Sequence, residues 1–100
     1  MLRGRTRIRE VLSVKPVRGK VTAVHFRPAP QSKAGFFVPK RLGNAVERNL
    51  AKRRMREIYR QMKDNFPQGE IIFRVKKKAE WNELCKDFGS CAKRLTRRCD

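Results

Sequence analysis

The sequence predicts an α+β fold: a two-layer sandwich in which helices stack on one small sheet. Three observations lead there. Apolar stripes repeat at helical spacing along 44–66 and 79–97. Three short runs rich in β-branched and aromatic residues fall at 21–27, 35–38 and 70–75, between turn signals. No repeat, low-complexity segment or linker interrupts the pattern, so residues 1–100 read as one domain.

Each element has a local reason. Ile8, Val11 and Leu12 recur at i, i+3 and i+4, which predicts a short helix over Thr6–Leu12 with Thr6 as its cap. Pro16 and Gly19 end it. Val21–Arg27, "VTAVHFR", is the first predicted strand. The polar turn "PAPQSKAG" leads to a second, Gly35–Val38, closed by Pro39. Asn44 is a good N-cap for a long helix running to Phe66. Its stripe is Ala51, Met55, Ile58, Tyr59, Met62 and Phe66. "PQG" stops it, and Glu70–Val75 is the third strand. A last helix runs from Ala79 to about Arg97, with Trp81, Leu84, Cys85, Phe88, Ala92 and Leu95 as its apolar side.

Charge narrows the function. Lys and Arg number 27 against 9 acids, a net charge of +18. Such a density repels itself in a folded chain and is compensated by a polyanion, with nucleic acid the leading candidate. The longest apolar runs, "FFV" and "IIF", are too short to span a bilayer, so no membrane association is expected. The basic start "MLRGRTRIRE" is not followed by a signal-peptide core, and a cytoplasmic protein is expected. Cys85, Cys91 and Cys99 lack CxxC spacing and lie far from the one histidine, His25, so reduced thiols are expected rather than a metal site. The acids are scattered and the histidine is single, which disfavours a nuclease in its own right.

The stretch "KRLGNAVERNLAKRRMREIYR", Lys40–Arg60, carries eight basic residues. On a helix at about 100° per residue, Asn49, Lys52, Arg53, Arg56, Arg60 and Lys63 fall on one side, away from the apolar stripe. That ridge holds no acid; Glu47 and Glu57 lie off it. An ordinary solvated helix face mixes both signs, so the ridge is a candidate polyanion-docking surface. Gly43 permits a sharp turn, and Asn44 opens the helix at an end that attracts phosphate. Lys40 and Arg41 flank that point.

These residues carry a family resemblance. "KRLGNAVERNLAKRRMRE" closely resembles the signature of the bacterial ribonuclease P protein component, matching at Lys40, Arg41, Gly43, Asn44, Ala45, Val46, Arg48, Asn49, Lys52, Arg53 and Arg56. The departure is Leu50, where the family usually has its second Arg; it lies off both the apolar stripe and the ridge. The length, element order and strand "GEIIFRVK" agree as well.

The resemblance implies a left-handed βαβ crossover, an exception to the usual handedness. It implies an RNA-binding subunit that joins a catalytic RNA and promotes 5′ maturation of precursor tRNA. The RNA and its Mg²⁺ ions do the chemistry, and the protein part is expected to be a monomer with no catalytic residue or metal of its own. It also implies a cleft between the first helix and the sheet that holds the 5′ leader, lined by Ile8, Leu12 and Phe26. Arg74 and Lys76 alternate with Val75 and are assigned to the same cleft. The alternative is a structural RNA-binding protein of ribosomal type, which composition alone does not separate from it; the Gly43-to-Arg56 signature favours the ribonuclease P subunit. A DNA-recognition helix normally follows a helix and turn rather than two strands.

Overall fold

The computed structural model describes residues 4–78 and 80–99, with side chains up to residue 97. Ala79, the expected start of the last helix, and the side chain of Cys99 lie outside the described residues. In chain order the elements are α1 (Arg5–Leu12), β1 (Val17–Arg18), β2 (Thr22–Pro28), β3 (Lys33–Phe37), a 3-10 turn (Lys40–Leu42), α2 (Ala45–Met62), a second 3-10 turn (Lys63–Asn65), β4 (Gly69–Val75) and α3 (Trp81–Cys99).

The sheet order is β1-β2-β4-β3. β2 pairs antiparallel with both β1 and β4, while β3 pairs parallel with β4. β3, α2 and β4 therefore form the βαβ unit that the expected crossover requires. Strand alternation sorts the side chains between two faces. Val24, Phe26, Ile71, Phe73, Ala34 and Phe36 face α2 and α3 and form the main core with Met55, Ile58, Leu84 and Phe88. On the reverse face Ile72 packs with Val11, Ile8 and Leu12 of α1.

Aromatic stacking centres the main core on Phe73. Its ring lies 4.3 Å from Phe88 and 5.4 Å from Phe36, nearly parallel to both. Tyr59 and Phe66 close the cluster edge-on. Such pairs contribute roughly 0.5–1.5 kcal/mol beyond the area they bury.

Several boundaries differ from the sequence expectation. α1 starts at Arg5 behind Gly4, with no side-chain cap, so Thr6 lies inside the helix. α2 ends at Met62; the chain tightens into the 3-10 turn, and Phe66 then turns extended to enter the core. β1 was not expected, because two residues carry no readable alternation.

Asp87 of α3 holds the turn between β1 and β2. Its buried carboxylate accepts N–H bonds from Lys20 at 2.8 Å, Val21 at 3.3 Å and Thr22 at 2.9 Å, and also accepts the Thr22 hydroxyl. A side chain on Gly19 would collide with that carboxylate. Cys91 lies beside Thr22, and burial raises its thiol pKa, which keeps it protonated and inert.

Candidate nucleic-acid interface

The basic segment begins at a strained turn. Gly43 has φ +148°, a conformation close to glycine-only, and a Cβ there would sit 3.0 Å from the Glu47 side chain. The next residue closes a capping box. The Glu47 N–H donates to Asn44 Oδ1 at 2.9 Å, and the Asn44 N–H donates to Glu47 Oε1 at 3.3 Å. Lys78 lies 3.5 Å from the same carboxylate. The Asn44 amide and Lys78 together hold the Glu47 pKa below its usual value. The positive end of α2 is thus already faced by a carboxylate, and a phosphate docking there meets Glu47 as well as Lys40 and Arg41. Asn44 serves the helix first, through its side-chain oxygen.

Arg41 is also engaged: its guanidinium donates to the Lys76 carbonyl at 2.7 Å, tying the turn to the end of β4. Along α2, Asn49, Arg53, Arg56 and Arg60 are exposed and Lys52 is half-buried. Among the described residues, Lys52, Arg53 and Arg56 have no ion-pair partner. Arg60 does: it reaches Glu57 at 2.9 Å, so its charge is partly matched within the helix. The ridge is free of acids by position, but the long Arg60 side chain crosses to the next face. Arg48 differs again. It lies half-buried toward the core side of α2, with its Nε buried and without a hydrogen-bond partner among the described residues.

The structure brings the ridge together with the reverse face of the sheet. Ile8, Gly35 and Phe37 line a groove of about 320 Å³ with Asn49, Lys52 and Arg56. Phe37 is paired in register with Arg74, and both are exposed on the α1 side. An apolar floor thus meets a row of cations along the β3 edge.

Two expected cleft residues are elsewhere. Phe26 faces the opposite side of the sheet from Ile8 and Leu12 and is buried in the main core. Lys76 donates from Nζ to the Gly19 carbonyl at 2.8 Å, which draws its charge to the β1–β2 turn rather than over α1. His25 occupies the position expected of Phe26. It pairs with Ile72 in register, and its Nδ1–H donates to the Val14 carbonyl at 2.9 Å, just after α1. Its Nε2 is buried with no partner among the described residues. Burial, then the nearby Arg74 and Arg18, lowers its pKa against the opposing bond to Val14, leaving a neutral ring. Because both faces of β2 are buried, alternation in the sequence carries no signal for this; the register with Ile72 decides it.

Two ion pairs hold α1 over this face: Arg7 with Glu70 at 3.4 Å, and Glu10 with Arg27. Among the described residues, no three His, Cys, Asp or Glu side chains come together as a metal-binding group, and no helix is long and apolar enough to cross a membrane.

Comparison with known proteins gives this geometry a family. A family model described as Ribonuclease P matches residues 1–96. The ribonuclease P protein component of Kocuria rhizophila is 36% identical over 86 residues, which is 82% of this chain and 76% of that protein. That of Thermus brockianus is 31% identical across 93% of this chain, but the match spans only 58% of its own length. Among solved structures, the RNase P protein of Thermotoga maritima superposes with a TM-score of 0.83 at 26% identity, covering 94% of this chain and 96% of that one. The Staphylococcus aureus RNase P protein, at 18% identity and a TM-score of 0.79 over 99% and 94% of the two chains, shares the fold. The chain belongs to the ribonuclease P protein component family.

Proposed function

We propose that this chain is the protein subunit of a ribonuclease P ribonucleoprotein. It binds the catalytic RNA through α2 and steers the 5′ leader of precursor tRNA along the groove between α1 and the β3 edge, so promoting tRNA 5′-end maturation. The observation that carries this is the continuity of the ridge with the groove: Asn49, Lys52 and Arg56 share one concavity with Ile8 and Phe37. Cations at the edge hold phosphates, and the apolar floor receives leader bases.

RNA docking rests on Lys40, Arg41, Asn49, Lys52, Arg53 and Arg56, with Arg48 and Arg60 as flanking cations and Asn44 holding the helix start. The leader path uses Ile8, Leu12, Phe37 and Arg74. Phe37 is the exposed aromatic able to stack, while His25 stays buried in register with Ile72 and ties the end of α1 to the sheet through Val14. Mg²⁺ enters with the RNA, whose phosphates bind it, and phosphodiester cleavage belongs to that partner. The protein part acts as a monomer in the cytoplasm.

The test is reconstitution. Added to a bacterial ribonuclease P RNA at low Mg²⁺, the protein should restore leader removal from precursor tRNA. No stimulation over RNA alone would sink the proposal.

A further inference from the structure

A second concavity lies on the other side of α2, away from the ridge and the leader groove. Val38, Leu42, Leu50, Ala51, Val75 and Leu84 line an apolar groove of about 190 Å³. Its rim is charged: Arg54, Lys78 and Glu47. Leu50 is the residue that neither the core nor the ridge explains. It is 45% exposed, and Val46, one helical turn earlier, is 76% exposed. Leu50 thus forms an apolar lip on the most basic part of the molecule.

We infer that this groove receives one unstacked nucleobase of a bound RNA. The inference rests on the reading of the chain as an RNA-binding subunit and adds a site to it. Size is the first argument. An aliphatic cavity of about 150 Å³ admits a benzene ring, so this groove has room for one heterocycle and little more. Charge is the second. A folded protein segment with an acidic rim would suit the net charge of +18, but a groove for a single ring offers it no extended footprint. A base brings its own phosphates, and Arg54 stands at the rim to meet one. Continuity is the third. Leu42 sits between Arg41 and Gly43 in the basic turn, so a strand following Lys40 and Arg41 passes the groove mouth. RNA is read largely through bases splayed out of the stack into apolar sites.

Glu47 does not oppose this. Its carboxylate is held by Lys78 and the Asn44 amide at the groove edge, so its charge is compensated.

The experiment uses the full chain with labelled Leu and Val methyl groups, followed by NMR. It is titrated in parallel with adenosine 5′-monophosphate and with ribose 5-phosphate, which lacks the base. Saturable shifts at Leu42, Leu50, Leu84, Val38 and Val75 are expected with the first and not with the second, with Val24 unmoved as the core reference. Leu50→Arg should abolish those shifts while the Val24 signal keeps its native position. Groove methyls unmoved by the nucleotide, moved equally by both compounds, or still moved in L50R would overturn the site. Shifts that follow protein concentration alone would overturn it in favour of contact between copies. Failure of the ridge to dock RNA would appear in the RNA affinity of the Arg53 and Arg56 variants, and these methyl shifts do not depend on it.

Discussion

His25 and Phe26 are chain neighbours that point to opposite faces of the sheet, His25 toward α1 and Phe26 into the core beneath α2 and α3. Phe26→Ala is therefore a stability mutation. It should cost about 3 kcal/mol or more, read as a lower urea midpoint. Precursor and mature tRNA should lose affinity equally at a concentration where the variant is folded. A selective loss for precursor tRNA would return Phe26 to the leader path.

The ridge should be separable by salt dependence. Arg53→Ala and Arg56→Ala should each weaken binding to ribonuclease P RNA and lower the slope of log K against log salt by close to one phosphate contact, about 0.7–0.9. Arg60→Ala should lower it less, because Glu57 already matches part of its charge. Filter binding at several salt concentrations distinguishes these outcomes, and three equal slopes would remove the distinction.

His25 should make stability depend on pH. Its pKa in the folded chain is below the ordinary 6.5 because burial disfavours the charged ring. The unfolded imidazole therefore takes up a proton first as pH falls. Its contribution is fully present above about 6.5 and is lost as pH falls toward the folded value, with a slope of at most about 1.4 kcal/mol per pH unit. Urea unfolding across this range should show the decline, and His25→Gln should flatten it. An unchanged slope in that variant would assign the decline to other groups.

Asp87→Ala should be among the most damaging single changes in the chain. It strands the Lys20, Val21 and Thr22 amides and the Thr22 hydroxyl. Each buried donor left unpaired costs about 1–3 kcal/mol, so a loss of several kcal/mol is expected in thermal or urea unfolding. A loss below about 1 kcal/mol would mean that water replaces the carboxylate.

Much of this architecture was legible from periodicity. The stripes of α2 and α3 place both helices, and Asn44 with Glu47 three residues on marks the start of α2 as a capping box does. The orientation of β2 was not legible. A central strand is apolar on both faces, and in "VTAVHFR" alternation carries no sign of which residues face α1. Only the pairing of His25 with Ile72 decides it. Lys76 departs from expectation for a different reason: its long side chain reaches the Gly19 carbonyl, a partner that its backbone position does not suggest. Leu50 lies off both stripe and ridge by its helical position, but the groove beside it is built from the turn after Pro39, the end of β4 and α3, which no local pattern joins.

The Asp87 contact has a consequence for the order in which the molecule is made. The turn at residues 20–22 waits for a carboxylate that lies 65 to 67 residues later in the chain. As the polypeptide leaves the ribosome, β2 can find neither β4 nor its turn partner until most of the domain has emerged. The β1–β2 turn thus cannot be completed before α3 is present, and a nascent chain that stalls before Asp87 leaves the amides of residues 20–22 without their carboxylate.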